Sequence, residues 1–325
     1  MALTERLIMR IMQSTSHCAA VWFVLTLTGL PVFGQVDLSG IWANRGHQDW
    51  LDRGRGPDLV DYAGLPINEA GREKALSYMA ALQSEFERQC EYYAPTYVVL
   101  GPFALNIWND VDPSTAKIVS WNMGAWIDKD VTTVWMDGRP HPSKNAFHPY
   151  SGFTTGVWEG DTLTTYSTHM KVAYVKRNGV PSSDQATLTE HIVRHGDILA
   201  IMGIIEDPVY LTEPHVALSI WEQDPHANMP RYSPPCEPIA EDPRLEAEHI
   251  VPHHLPGKNP SINELTDLYH IPVEATLGGA ETMYPEFRKK IKDKYVRPEK
   301  CTRYCCGPVN DPALKCIRDA SGRER

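Results

Sequence analysis

Between residues 132 and 221 the chain is a series of short apolar or alternating runs cut by turn signals, and this spacing restricts the fold more than any other feature. Trp135-Met136 runs into Asp137-Gly138, residues 152–158 into Glu159-Gly160-Asp161, residues 187–194 into His195-Gly196-Asp197, and residues 198–206 into Asp207-Pro208. A Thr-rich alternating run at 162–170 is followed at some distance by Asn178-Gly179, and residues 216–221 close the series. Strands of this length joined by such dipeptides form antiparallel hairpins. A mainly β fold is expected, an antiparallel meander of roughly eight strands over residues 36–236. A barrel or strongly curved sheet suits it, because closure removes the exposed edges on which sheets aggregate.

Upstream, Gly40-Ile41-Trp42 starts a strand, with further strand candidates at 97–100, 103–108, 117–121 and 131–136. Asn68 is placed to cap a helix running to about Arg88, with Ala75, Leu76, Met79 and Leu82 on one face. From Pro234 the composition shifts to Pro, Glu and Asp. Beyond it Ser261-Ile262-Asn263-Glu264 reads as a capping box, and Pro285 suits the first turn of a later helix. That helix carries Arg288, Lys289 and Lys290, most simply as a solvated face.

The first residues read as an export signal. Arg6 and Arg10 precede a short apolar run over 18–30, and Val32-Phe33-Gly34 offers cleavage positions. The domains expected are a signal peptide at 1–34, a β-barrel domain at 35–240 with one inserted helix at about 68–88, a helical C-terminal segment at 241–300 and a Cys-rich tail at 301–325. The expected location is the periplasm or the outside of the cell, with no stable membrane span after cleavage, since a span needs about 20 apolar residues. Export favours disulfides among Cys90, Cys236, Cys301, Cys305, Cys306 and Cys316. The last four crowd the tail, so Cys90–Cys236 is the first choice for a bridge closing the body. A zinc site in the tail is the alternative.

The net charge of −10 argues against a nucleic-acid partner, which needs a basic footprint. No nucleophile elbow, phosphate loop, dinucleotide fingerprint or His-Glu-x-x-His motif is present. What remains is histidine density. His191 and His195 would share one face of a helix and one metal ion, but on a strand they stand about 13 Å apart. The β-branched Thr187, Thr189, Ile192 and Val193 favour the strand; a helix from Ser183 to Gly196 is the alternative. On a strand, Glu190 and Arg194 share one face and His191, Val193 and His195 the other. The candidate site is therefore His141, His169, His191, His195 and Glu213, for acid–base chemistry or a divalent metal. Arg139 and Arg194 would take an anionic group, and Tyr150 and Trp158 would line a pocket.

Two resemblances bear on the same residues. Residues 135–142 (WMDGRPHP), 158–163 (WEGDTL), 194–197 (RHGD), 207–214 (DPVYLTEP) and 278–286 (GGAETMYPE) resemble a family of exported, uncharacterised bacterial proteins. That resemblance covers the mature chain up to about Lys300 and implies no catalytic residues. Gly40-Ile41-Trp42 is similar to the opening Gly-x-Trp of the lipocalin-like, or calycin, barrels. The expected function is binding of a small apolar or aromatic ligand inside the barrel. The alternative is an isomerase, lyase or hydrolase on the same scaffold, using histidine acid–base chemistry with or without a metal.

Overall fold

Alternation decides the architecture. In the computed structural model, which describes residues 36–45, 59–99, 104–125, 130–232, 235–239, 250–294 and 296, nine strands close into a barrel. They are β1 (Gly40–Asn44), β2 (Leu105–Val111), β3 (Ile118–Ala125), β4 (Thr132–Trp135), β5 (Phe153–Glu159), β6 (Thr162–Thr168), β9 (Thr187–His195), β10 (Ile198–Glu206) and β11 (His215–Gln223). The order around the barrel is β1-β11-β10-β9-β6-β5-β4-β3-β2, and β1 closes it by pairing with both β2 and β11. The pair β7 (Ala173–Tyr174) and β8 (Pro181–Ser182) forms a separate small hairpin between β6 and β9. The chain divides into two units between Val36 and Asp37, and the barrel lies wholly within the second.

Along β4, β6, β9, β10 and β11 burial alternates over most of the strand, and the buried side chains fill the barrel. Trp42, Ile107, Trp121, Leu163, Leu188, Ile192, Leu199 and Trp221 form most of that core. Positive φ at Gly160 and Gly196 lets the β5–β6 and β9–β10 turns close tightly, as their Glu-Gly and His-Gly steps foretell.

The meander has one exception: β4 and β5 run parallel, Val134 opposite Thr154 and Trp135 opposite Thr155. A parallel pair needs a crossover, and residues 136–152 provide it, passing outside the barrel. Pro140, Pro142 and Pro149 cannot complete a strand ladder there.

The two ends of the barrel differ. At the end that holds the β9–β10 turn, Arg194 reaches Asp37 O just before β1 and lies over the ring of Trp42. At the other end the run Tyr97-Val98-Val99, expected as a strand, is instead the helical turn α2 (Pro95–Val98). Pro95 sits in its first turn, where its missing N–H costs nothing. Pro95, Val98 and Val99 are lodged in the mouth among barrel side chains. The helix capped by Asn68 is also shorter than expected. Helix α1 covers Glu69–Ser77, Asn68 accepts from Gly71 N, and a 3-10 turn at Ala80–Ser84 replaces the continuation.

The C-terminal segment packs on the strap between β1 and α2, residues 59–94. Tyr62 N donates to Thr276 O at 2.8 Å, Gly64 N to Thr282 Oγ1 at 2.7 Å, and Arg72 Nε to Leu277 O at 2.8 Å. Its helices are α3 (Glu264–Tyr269), α4 (Val273–Thr276) and α5 (Pro285–Ile291). Asn259, not Ser261, supplies the side-chain cap before α3, through a 3-10 turn at Pro260–Asn263. Pro285 opens α5 as expected. Among the described residues no helix is long and apolar enough to cross a membrane.

Cys90 and Cys236 are joined in a disulfide. Cys301, Cys305, Cys306, Cys316 and the proposed signal peptide lie outside the described residues.

Candidate functional site

Among the described residues, two gatherings of polar side chains bear on a site, one inside the barrel and one on its outer wall. The inner one begins with the alternation of β9. Leu188, Glu190 and Ile192 are buried, while Val193 and His195 are exposed. Glu190 is therefore a carboxyl group on a core-facing position. Thr165 of β6 stands opposite it and donates from Oγ1 to Glu190 Oε2 at 3.2 Å. Two residues along, Ser167 and Thr154 share a hydrogen bond of 2.7 Å between their buried hydroxyls. Glu190, Thr165, Ser167 and Thr154 thus make a polar strip across β5, β6 and β9 within an interior whose other side chains are mostly apolar.

Above Glu190 lies a chamber lined by Pro95, Val98 and Val99 of the plug with Leu105, Met123, Thr132, Ile201 and Trp221. It measures about 20 Å³ as space open to the centre of a water molecule, against a minimum of about 10–15 Å³ for one water. Gly203 faces the plug: any Cβ there would overlap Val99 Cγ2. Buried Thr96 Oγ1 of α2 has no hydrogen-bond partner among the described residues.

The outer place lies under the β4–β5 crossover. His141 Nε2 is 2.9 Å from Thr155 Oγ1, and His141 Nδ1 is 2.7 Å from Thr168 Oγ1. The same Thr168 oxygen is 2.7 Å from His169 Nδ1, and His169 Nε2 is 2.9 Å from the Ser143 carbonyl. The carbonyl can only accept, so His169 carries its proton on Nε2 and a neutral ring accepts at Nδ1 from Thr168. Thr168 has then used its one proton and must accept from His141 Nδ1–H, leaving His141 Nε2 to accept from Thr155. One direction runs through all four bonds. His169 has φ 57°, in the left-handed region.

Burial first, and second the repulsion that a protonated His169 would add, hold the His141 imidazole below its ordinary value. Unfolded, His141 therefore binds its proton at a higher pH than folded. Stability is lost as pH falls through the unfolded value of about 6.5 toward the lower folded one. Urea denaturation at mildly acidic pH is expected to show a smaller stability than at neutral pH. The variant His141→Gln should show a shallower pH dependence, and an unchanged dependence would refute this assignment.

The expected site residues are thus partly brought together. His141 and His169 share Thr168, and it is His148, with its ring 5.0 Å from that of His169, that joins them. His191 lies further along the outer wall, its Nδ1 3.1 Å from Thr164 Oγ1, about 13 Å of strand from Thr168. His195 is at the opposite end, in the β9–β10 turn. Glu213 is exposed in the β10–β11 connection. Among the described residues no three His, Cys, Asp or Glu side chains form a group able to hold a metal ion.

Both arginines make hydrogen bonds within the chain. Arg139 makes a two-pronged pair with Asp137, at 2.9 and 2.6 Å, and lies 3.5 Å from the centre of the Trp135 ring. Arg194 donates to Asp37 O, Gly196 O and Gln223 Oε1. Tyr150 accepts from Lys171 Nζ at 2.9 Å and packs edge-on against Tyr92. Buried Trp158 Nε1 has no hydrogen-bond partner among the described residues.

Glu190, Thr165 and Thr132 were missing from the expected site. A charged residue in phase with Leu188 and Ile192 is the signal for Glu190; the chamber itself depends on α2, whose fold the sequence did not reveal. No family model matches the chain, and no curated protein matches it. The resemblance to exported bacterial proteins gains no support from these comparisons. The closed barrel is compatible with the lipocalin-like one, with the differences of nine strands and one parallel pair.

Proposed function

We propose that this chain is an exported binding protein whose barrel takes a small apolar or aromatic ligand at the chamber end. The observation that carries this reading is the plug. Pro95, Val98 and Val99 put an apolar body in the barrel mouth, over a floor with one carboxyl group. A ligand of matching character would make the same contacts. A chamber of about 20 Å³ holds no more than one or two waters, while ligand pockets span about 300 Å³ or more, so binding requires α2 to withdraw. Withdrawal would restore hydrogen bonding to Thr96 Oγ1, whose burial without a partner costs about 1–3 kcal/mol. The disulfide at Cys90 holds the strap in place while α2 moves, and a bridge of this kind suits an exported protein.

The test is titration with a neutral aromatic probe, N-phenyl-1-naphthylamine, against wild type and Val98→Ala/Val99→Ala. The truncations weaken docking of α2 by about 2 kcal/mol, so affinity should rise about tenfold or more. Absence of saturable binding to either protein would overturn the reading.

The second reading is an isomerase, lyase or hydrolase using histidine acid–base chemistry. The Thr155–His141–Thr168–His169 chain favours it. Against it, the chain ends on the Ser143 carbonyl, which cannot pass a proton on. That ending suits a device tying the crossover to the barrel wall.

A further inference from the structure

Charge is unevenly spread along the chain. Residues 284–325 hold twelve Lys and Arg against six Asp and Glu, a net of +6, which leaves −16 on the residues before them. Helix α5 is the described helix of this basic portion, and its faces differ. Phe287 and Ile291, one turn apart, are half-buried and seat it, while Arg288, Lys289, Lys290 and Lys292 are exposed. At 3.6 residues per turn, Lys289 points directly away from the seated face, with Arg288 and Lys292 beside it. Lys294 is bonded to Glu274, but among the described residues no ion pair takes Arg288, Lys289 or Lys292. Just ahead of the helix, Met283 is 58% exposed and Tyr284 52%. The helix is tied at both ends: Tyr284 N donates to Glu281 O at 3.1 Å, and His270 Nδ1 donates to Val296 O at 2.9 Å.

We propose that α5 docks the protein on an anionic lipid bilayer, Arg288, Lys289 and Lys292 meeting the headgroup phosphates and Met283 and Tyr284 entering the headgroup layer. This goes beyond the binding of a ligand in the barrel and does not depend on it. Charge complementarity names the partner. Three cations without ion-pair partners on one exposed face, in a chain that is acidic as a whole, fit a surface of dense negative charge. At physiological salt a charge is felt over about 8 Å, so a surface meeting α5 responds to the local excess more than to the total of −10. The apolar pair separates a bilayer from a soluble polyanion. A polyanion has no use for Met283 and Tyr284, whereas the headgroup layer takes up apolar side chains and favours the amphipathic ring of tyrosine.

Flotation of the mature chain with vesicles tests this. That chain carries the whole barrel and lacks the apolar run over 18–30, which would bind lipid by itself. At low salt wild type should float with vesicles of equal parts phosphatidylcholine and phosphatidylglycerol, and not with pure phosphatidylcholine. Each cation at an anionic surface is worth about fivefold in partitioning, so Arg288→Gln/Lys289→Gln/Lys292→Gln should bind about a hundredfold more weakly. Salt of about 0.5 M should release wild type. Met283→Ser/Tyr284→Ser should bind about tenfold more weakly and keep the salt dependence. Circular dichroism shows that each variant keeps its barrel. Failure of wild type to float with the anionic vesicles would overturn the proposal. So would flotation undiminished in the triple variant, which would place the contact on other cations, such as those of residues 297–325. Binding to dextran sulfate as tight as to the vesicles, with no loss in Met283→Ser/Tyr284→Ser, would make α5 a plain polyanion site and overturn the bilayer. Self-association without flotation, abolished in the triple variant, would give α5 to the acidic body of a second copy and overturn it equally.

Discussion

Replacing Cys90 and Cys236 together by alanine is expected to lower the stability of the folded chain by about 5 kcal/mol. The bridge spans a sequence separation of 146 residues. In the chain-entropy account, a loop of that length in the unfolded state loses most of its freedom when its ends are tied. Native contacts around the bridge would survive its removal. Gln89 donates from Nε2 to Ile239 O at 2.6 Å and accepts at Oε1 from Ile239 N at 2.8 Å, so the two segments remain joined without the sulfurs. The loss therefore falls mainly on the unfolded side, and the barrel should keep its circular dichroism. For a chain of this size the melting temperature should drop by roughly 10 °C or more. Wild type melted in excess reductant should behave as the double variant does. A loss below about 1 kcal/mol would show that the unfolded chain is already compact around this loop.

The strands were legible because their information is local. Leu188, Glu190 and Ile192 alternate with His191 and Val193, and that alternation separates core from surface without knowledge of any partner strand. The turns at Glu159-Gly160-Asp161 and His195-Gly196-Asp197 were legible for the same reason. Partner choice is not local. Nothing in residues 132–135 or 153–159 announces that β4 and β5 run parallel, because the cause is the length and path of the crossover between them. Tyr97-Val98-Val99 failed for another reason. Its β-branched side chains favour a strand, but the barrel mouth accepts them as a plug, and tertiary packing outweighs a propensity worth a few tenths of a kcal/mol per residue. The histidines divide along the same line. His191 and His195 were placed on one outer face by alternation, whereas the meeting of His141 with His169 depends on Thr168, which only the β5–β6 register and the crossover bring between them.

Trp42→Ala is expected to cost about 3–5 kcal/mol, among the largest effects of any single substitution in the barrel. The indole is fully buried and donates from Nε1 to Leu38 O at 2.9 Å. The Arg194 guanidinium lies 5.1 Å from the ring centre, and its three nitrogens bond Gly196 O, Asp37 O and Gln223 Oε1. These partners come from the β9–β10 turn, the segment before β1, and the end of β11. One side chain thus ties together the elements that β1 must bridge to close the barrel, and β1 has only three ladder partners on each neighbour to do it with. Arg194→Lys should lose about 2 kcal/mol although the charge is kept, since one ammonium cannot serve three acceptors held in a planar fork. The double variant should lose less than the sum of the two by about 1 kcal/mol, because each loss removes part of the same contact. The same geometry bears on the expectation of an anion site. Nε, Nη1 and Nη2 each already serve an acceptor, so an anion would have only the two remaining N–H donors and would compete with those three bonds; sulfate should therefore stabilise wild type and Arg194→Lys equally, through its general exclusion from protein surfaces. A larger sulfate response in wild type would mean that the guanidinium leaves its three acceptors for an anion, and that the clamp is a binding site after all.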